Sequence, residues 1–276
     1  MMSAQAVHRM IQISDTHLRS GDTDTLPGWR AALDYIAAAA PDCVIHTGDI
    51  VRNEPEATDD HAFATAELRT LNVPWVAVPG NHDVGDGPPD ALSPRPELLD
   101  AFRSNYGEDR WERNLGPWRL IGVNSLLFGS NLPDETEQWN WLQRLLAPKS
   151  RSGSVLLSPI AIFMHKPPFL IDPHEDGATS ATIPARSRRR CWDLFLRSDA
   201  VRLVACGHRH EYRTLAVDGV KVVWAPTTAS GPLLDERTPP LAAQAHPGIV
   251  EYAFCGRTVM HRLVPLSVSP EMSSVA

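Results

Sequence analysis

Five short clusters of polar residues each follow an apolar run of the sequence, and they contain groups that bind metal ions. The clusters are Asp15-Thr16-His17, Gly48-Asp49, Gly80-Asn81-His82-Asp83, His165 and Gly207-His208-Arg209-His210. Carboxylate, amide and imidazole groups without a thiolate suit manganese, iron, zinc or cobalt better than calcium or magnesium, which prefer oxygen ligands alone. Seven or eight candidate ligands are too many for one four-coordinate ion, so we expect two ions that share a bridging carboxylate.

The apolar runs that precede these clusters are typical of β-strands. They cover residues 9–13, 43–47, 74–78, 160–164 and 201–206, with helical patterns between them. Such alternation is typical of an α/β domain with largely parallel strands, whose carboxyl ends meet at one edge of the sheet. We therefore expect the five clusters to converge on one pocket.

Two details of the spacing favour that convergence. Alternate residues of an extended strand face the same way, which predicts that Asp15 and His17 point together and that His208 and His210 do the same. Glycine lets the backbone turn sharply or approach an ion closely. Three of the clusters open with such a residue, at Gly48, Gly80 and Gly207.

Helical patterns between the strands supply the outer layers. One begins near Pro27 and another covers residues 64–71. Asp134 and Glu137, three residues apart, resemble a capping box that opens a third helix. A fourth helix is predicted over residues 188–196. The basic run at its start, Arg186-Ser187-Arg188-Arg189-Arg190, is interpreted as a solvated face, with a phosphate or nucleic-acid contact as the alternative.

The C-terminal third of the sequence changes to antiparallel hairpins. Two hairpins are predicted, with turns at Asp218-Gly219 and at Cys255-Gly256. One continuous domain with two sheets, over residues 1–265, explains this pattern better than two domains. Residues 266–276 are expected to form a disordered tail.

The order of the clusters resembles that of the calcineurin-like metallophosphoesterases, whose pattern is D-x-H, G-D, G-N-H-D, H and G-H-x-H. The match spans residues 15–210 with all five clusters intact. One cluster alone would be weak evidence, whereas five in order are highly specific. The resemblance implies a metallo-dependent phosphatase-like α/β fold, a four-layer α/β/β/α sandwich with two mixed β-sheets.

The resemblance also implies roles for individual residues. It assigns one ion to Asp15, His17, Asp49 and His210, and the other to Asp49, Asn81, His165 and His208, with Asp49 bridging. Manganese and iron are the favoured ions. The resemblance implies that His82 is catalytic, because near the scissile phosphate it would bond a phosphoryl oxygen or protonate the leaving group. Asp83 would orient His82.

Two further segments predict the type of ester. Residues 9–18 and 163–169 resemble the bacterial branch that contains class III cyclic-nucleotide phosphodiesterases and glycerophosphodiesterases, with Lys166 where members often carry a second histidine. This branch implies hydrolysis of cyclic nucleotides or small alkyl- or glycero-phosphodiesters by a metal-bridging hydroxide. The alternatives are a phosphomonoesterase or nuclease on the same scaffold, and a non-catalytic metal-binding scaffold.

Composition limits the partners and the compartment. The chain has 276 residues and a formal net charge of −7, which disfavours binding of nucleic acid or membranes by bulk electrostatics. No signal peptide or membrane span is apparent, and the four scattered cysteines are interpreted as free thiols, so we expect a cytoplasmic protein. A small-molecule phosphodiester is the expected partner, and a homo-oligomer is compatible with the sequence.

Overall fold

The computed structural model describes residues 6–22, 24–53, 55–86, 93–147, 157–175, 180–229 and 246–267. The tail expected from residue 266 falls mostly on residues 268–276, which lie outside the described residues. Residues 171–185 and 231–248, to which the sequence assigns neither helix nor strand, are described only in part. No helix within the described ranges is both long and apolar enough to cross a membrane.

The described part of the chain forms strands and helices that alternate along most of its length. The strands are β1 (Val7–Ile13), β2 (Cys43–His46), β3 (Trp75–Ala77), β4 (Trp111–Leu115), β5 (Trp118–Val123), β6 (Ile160–Met164), β7 (Val201–Cys206), β8 (Arg213–Val217), β9 (Val220–Trp224), β10 (Gly248–Cys255) and β11 (Thr258–Pro265). The helices are α1 (Leu26–Ala39), α2 (Thr58–Leu68), α3 (Asn81–Val84), α4 (Pro96–Tyr106), α5 (Pro133–Leu145) and α6 (Ala185–Arg197).

The first sheet carries three of the polar clusters. Its order is β11-β10-β1-β2-β3, in which β1, β2 and β3 run parallel. β10 pairs antiparallel with the other edge of β1, and β11 pairs antiparallel with β10. Ile13 pairs with His46 and His46 with Ala77, so the three parallel strands end side by side. The residues that follow them are therefore neighbours.

The second sheet carries the other two clusters. Its order is β4-β5-β6-β7-β9-β8, with β5, β6, β7 and β9 parallel and the edge strands β4 and β8 antiparallel. β6 and β7 are adjacent, so His165 and Gly207, which follow them directly, lie side by side. The two predicted C-terminal hairpins are present, and each adds to a different sheet.

The sheets and helices pack in four layers. Helices α1, α2 and α4 cover the outer face of the first sheet through side chains such as Trp29 and Phe102. Helices α5 and α6 cover the second sheet through Trp139 and Trp192. A third apolar cluster, which includes Phe163, fills the space between the sheets. The predicted α/β/β/α sandwich with two mixed sheets is confirmed.

The capping box predicted for α5 is wrong. The helix begins at Pro133 after an extended Leu132, and no side chain caps its first turn. Asp134 therefore lies inside the helix, where its Oδ1 accepts a hydrogen bond from Nη2 of Arg103 at 2.5 Å. Proline at the first helical position explains the shift, because its fixed φ favours the helix and it needs no hydrogen-bond acceptor there.

The basic run at the start of α6 is not solvated throughout. Arg186, Arg189 and Arg190 are exposed, but Arg188 is only 1% exposed. Its position on the helix turns the guanidinium toward the chain that connects β6 to α6. We name that connection, described at residues 165–175 and 180–184, the β6–α6 segment. The expectation of a solvated face is therefore wrong at Arg188.

Candidate metal centre

Left-handed backbone conformations direct the candidate ligands. The described chain has eight non-glycine residues with positive φ, and five of them are Asp15 (53°), His17 (46°), Asp49 (52°), His208 (68°) and His210 (54°). The strands β1 and β7 end before these residues, so strand alternation is the wrong explanation for their convergence. Positive φ is uncommon and costly outside glycine, and such residues gather at sites that fix them.

Four buried side chains form what we call the first cluster: Asp15, His17, Asp49 and His210. Their ligand atoms all lie within 4.8 Å of one another. The Nε2 atoms of His17 and His210 are 3.1 Å apart, Asp15 Oδ1 is 3.2 Å from His210 Nε2, and Asp49 Oδ2 is 3.9 Å from His17 Nε2. Ring nitrogens that share an ion at about 2.1 Å would lie about 3 Å apart, so this spacing suits a transition metal.

The second cluster consists of Asp49, Asn81, His165 and His208. His165 Nε2 lies 3.0 Å from Asn81 Oδ1, 3.2 Å from His208 Nδ1 and 3.4 Å from Asp49 Oδ1. Asp49 thus directs Oδ1 toward the second cluster and Oδ2 toward the first. The structure brings together all seven residues that the sequence suggested as ligands.

Main-chain carbonyls fix the tautomers of the two histidines in the second cluster. His165 Nδ1 lies 2.8 Å from the carbonyl oxygen of Thr47, and His208 Nε2 lies 2.9 Å from that of Ser180. A carbonyl only accepts, so these nitrogens carry hydrogen, and the opposite nitrogens face each other as acceptors in the neutral rings. Facing acceptors need a shared proton or a cation between them. This donor set fits a metal ion.

Burial and mutual charge set the protonation states of the clusters. Burial acts to raise the pKa of Asp15 and Asp49, but His210 and His165 outweigh it, bringing the pKa of Asp15 to about 2 and holding that of Asp49 well below its usual range. Burial acts to lower the pKa of His165, but Asp49 raises it to about 9. Without metal, His165 therefore keeps a proton at neutral pH, and binding of an ion would displace it.

The sequence predicted that the three glycines allow close approach of the backbone to an ion. In the structure they allow close approach of one ligand loop to the next. Gly48 has a φ of +91°, and a Cβ there would lie 2.5 Å from the backbone nitrogen of Gly80. A Cβ on Gly80 would lie 2.2 Å from Asp49 N, and one on Gly207 would lie 1.9 Å from Ser14 Oγ. The ligand loops are thus packed too closely for any side chain at these positions.

The side chain of His46 connects the loop of Asp15 and His17 with the loop of Gly48 and Asp49. Its Nδ1 accepts the N–H of Gly48 (3.1 Å), so its Nε2 carries the hydrogen and donates to Thr16 Oγ1 (3.0 Å). The Thr16 hydroxyl in turn donates to the carbonyl oxygen of Ile50 (3.1 Å). Burial lowers the pKa of His46 to about 3, so the ring stays neutral and keeps this arrangement.

Further buried polar groups join the two sheets beneath the clusters. The hydroxyl of Tyr252 on β10 donates to Gln12 Oε1 (2.8 Å). Gln12 Nε2 donates to Thr47 Oγ1 (2.9 Å) and to the carbonyl oxygen of Cys206 on β7 (3.2 Å). Neither Gln12 nor Tyr252 was among the residues predicted to belong to the site. The available signal was a glutamine within an apolar strand, where a polar side chain needs partners.

His82 and Asp83 occupy different environments. His82 is half-buried, its ring centroid is 4.9 Å from that of His17, and its backbone N–H donates to Asp49 Oδ1 (2.9 Å). Asp83 is buried, and its carboxylate accepts backbone N–H groups of Ile50 (2.9 Å), Val51 (3.2 Å) and Gly80 (2.8 Å). Asp83 therefore binds together the loops that carry Asp49 and Asn81.

Lys166 is buried beside His165 rather than exposed in a loop. Its ammonium group forms an ion pair with Asp86, and its backbone N–H donates to Ser125 Oγ (2.9 Å). The positive charge of Lys166 acts to lower the pKa of His208, after the larger effects of burial and His165. The lysine thus adds charge near the second cluster, and Asp86 balances it.

Comparisons with known proteins agree with this geometry. The family model described as calcineurin-like phosphoesterase matches residues 8–212. A probable glycerophosphodiester phosphodiesterase of Arcobacter nitrofigilis is 26% identical over 83% of this chain and 81% of its own length. A 3',5'-cyclic adenosine monophosphate phosphodiesterase of Vibrio vulnificus is 24% identical over 80% of this chain and 76% of its own length.

A solved structure supports the same fold. The crystal structure of a dimetal phosphatase from Danio rerio aligns with a TM-score of 0.55 and 16% identity, covering 94% of this chain and 99% of the other. The family match extends over most of the chain and includes every candidate ligand. The chain therefore belongs to the calcineurin-like phosphoesterase family, metal-dependent hydrolases of phosphoric esters.

Proposed function

We propose that the chain is a phosphodiesterase that binds two divalent transition-metal ions, one in each cluster. The observation that carries the proposal is the position of Asp49, whose two carboxylate oxygens face different clusters. A carboxylate shared in this way keeps two ions close enough to act on one phosphate. Manganese and iron are the ions we favour, because the ligands combine oxygen with imidazole nitrogen.

The chain contributes ligands, charge and a positioned acid to the reaction. Two bound ions supply Lewis acidity toward phosphate oxygens and lower the pKa of water for attack on phosphorus. The pKa of His82 is raised: burial acts to lower it, but Asp49 and Asp83 outweigh burial. A protonated His82 beside the first cluster would donate to a phosphoryl oxygen or to the departing alkoxide. We assign Asp83 to positioning His82 through Gly80.

The names of the relatives support a phosphodiester substrate of small size. One relative is named for glycerophosphodiesters and the other for cyclic adenosine monophosphate. Both substrates present a monoanionic phosphate with one alcohol as the leaving group. We therefore propose cyclic nucleotides and small alkyl- or glycero-phosphodiesters as the substrate class.

The test combines metal analysis with kinetics on the purified chain. We expect two ions per chain after reconstitution with Mn²⁺, and turnover of bis-p-nitrophenyl phosphate that chelation abolishes and Mn²⁺ restores. A panel of cyclic AMP, glycerophosphodiesters and p-nitrophenyl phosphate then ranks kcat/KM. Two ions without turnover of any ester would support the non-catalytic scaffold, and preference for the monoester would support a phosphomonoesterase.

A further inference from the structure

The hydrogen bond from Ser180 to His208 brings the β6–α6 segment into contact with the second cluster. The carbonyl oxygen of Ser180 accepts from His208 Nε2 at 2.9 Å. This bond both selects the tautomer of His208 and sets the direction of its Nδ1 toward His165. A metal-binding histidine uses one ring nitrogen for the ion and the other for a hydrogen bond to the protein. Loss of the partner in that hydrogen bond typically lowers metal affinity.

Arg188 holds the β6–α6 segment on both sides of Ser180. Its Nη1 donates to the carbonyl oxygen of Glu175 (2.7 Å), and its Nη2 donates to Thr182 Oγ1 (2.8 Å). Thr182 lies two residues after Ser180, so this bond fixes the chain next to the carbonyl that meets His208. Glu175 in turn accepts the backbone N–H of Leu170 through Oε1 (2.8 Å).

The burial of Arg188 separates it from the other arginines of the run. Burying a guanidinium is costly unless hydrogen bonds and a counter-charge compensate for lost water. Arg188 is 1% exposed, and Glu175 Oε1 lies 3.7 Å from its Nη1. Arg189, the next residue on α6, is exposed. A solvent-facing arginine would serve helix solubility, so the inward position of Arg188 indicates a specific role.

We propose that Arg188 is a positioning residue for the ion of the second cluster. By holding Glu175 and Thr182 it keeps the Ser180 carbonyl against His208 Nε2, and so keeps His208 Nδ1 directed at the ion. The proposal rests on the ligand assignment under the proposed function. The proposal distinguishes the clusters, because His208 bonds to the Ser180 carbonyl, whereas the first cluster meets the β6–α6 segment, among the contacts of the described residues, only where Asp49 faces the ligand His165.

The test is a titration of the metal-free protein with Co²⁺, followed by calorimetry and by the visible spectrum of the bound ion. The wild type should show two binding events. We expect Arg188→Met to weaken one event by about 10–100-fold, as is typical for residues behind a ligand, and to leave the other within about twofold. Arg189→Met, which removes the same charge from an exposed neighbouring position, should leave both events unchanged.

A second variant keeps the proposal testable if Arg188→Met does not fold. Thr182→Val removes the acceptor of Arg188 Nη2 at nearly constant volume, and it should weaken the same event. Unchanged affinity in the folded variants, or equal weakening of both events, would overturn the role of Arg188. Fewer than two events in the wild type would instead overturn the proposed function, so the two failures are distinguishable.

Discussion

The two ligand clusters share Asp49 but are built differently. The first cluster is fully buried, and main-chain hydrogen bonds join its loops, from Asp15 N to the carbonyl oxygen of Gly48 (2.9 Å) and from His17 N to that of Asp49 (3.1 Å). In the second cluster Asn81 and His208 are partly exposed. Asn81 starts the four-residue helix α3, and His208 depends on a carbonyl of the β6–α6 segment.

This difference shows how one fold can offer two metal positions of unequal rigidity. Ligands held by strand ends and main-chain bonds are already in place before an ion arrives, so little order is lost on binding. Ligands held by a short helix and a connecting segment must be ordered by their neighbours. We therefore expect the first cluster to bind its ion more tightly and the second to respond more to changes in the surrounding chain.

Replacement of Asp49 should abolish metal binding at both clusters, which is the largest effect we expect. Asp49→Ala deletes the oxygens directed at both clusters. We expect loss of both Co²⁺-binding events and a fall of more than about 1,000-fold in turnover of bis-p-nitrophenyl phosphate. Asp109→Ala is the control, because Asp109 is an equally buried carboxylate that pairs with Arg103 and belongs to neither cluster. Turnover near the wild-type rate in Asp49→Ala would contradict the assignment.

Replacement of Asn81 should isolate the second cluster. Asn81→Ala removes the amide oxygen 3.0 Å from His165 Nε2. We expect most activity to be lost. The affinity of the weaker Co²⁺-binding event should fall by about 100-fold or more, because Asn81 is a proposed ligand and the loss of a residue that only supports a ligand costs less. The tighter event should remain. Asn81→Asp keeps an oxygen in place and should retain two events in calorimetry. A loss confined to the tighter event would reverse our ranking of the clusters.

Replacement of His46, which contacts no ion itself but connects two ligand loops, should weaken metal binding at the first cluster. His46→Leu leaves the Gly48 N–H and the Thr16 hydroxyl without their partner, which costs about 1–3 kcal/mol of unfolding free energy. We expect the tighter Co²⁺ event to weaken by about tenfold. His61→Leu is the matched control, since His61 is also buried and bonded, to Tyr106 and to Pro55, outside both clusters. It should lose stability without loss of metal affinity.

Replacement of Glu251, a carboxylate that belongs to neither cluster, should change metal affinity at neither of them. Burial acts to raise the pKa of Glu251, but hydrogen bonds from Arg9, Tyr35 and Arg262 lower it. A lowered folded pKa stabilises the protein above the unfolded value of about 4.3, and this stability disappears as the pH falls through the folded pKa. Glu251→Gln should therefore cost about 1 kcal/mol near pH 7 and nothing at low pH, measured by urea unfolding. Altered metal affinity would show that global stability controls the clusters.

The sequence predicted the strands that carry ligands because each is a short apolar run followed by polar residues. It missed β4, where three polar residues separate the buried Trp111 and Leu115, so the strand has neither a continuous nor an alternating apolar pattern. It also assigned no strand to β5, where Arg119 and Gly122 interrupt the apolar run, and no helix to α4. The seven candidate ligands could be named from their order in the chain, whereas the backbone conformation that brings them together could not, because left-handed residues leave no regular spacing.

The supporting residues could not be predicted, for a different reason. Gln12 bonds to Cys206, 194 positions away, and Arg188 bonds to Glu175 in a segment to which the sequence assigns neither helix nor strand. Such partners depend on how the two sheets pack and on which side of α6 faces inward. Local patterns describe the neighbours along the chain, so a buried arginine and an exposed one look alike until the packing is known.

The position of β10 beside β1 affects the order in which the protein can mature during synthesis. β1 ends two residues before Asp15, yet one of its edges pairs with residues 250–255, and Gln12 accepts a hydrogen bond from Tyr252, 240 positions later. A growing chain therefore exposes this hydrophobic edge of β1 until about 240 further residues have been synthesised. We therefore expect the loop of Asp15 and His17 to become ordered for metal binding only after β10 has been synthesised and has paired with β1.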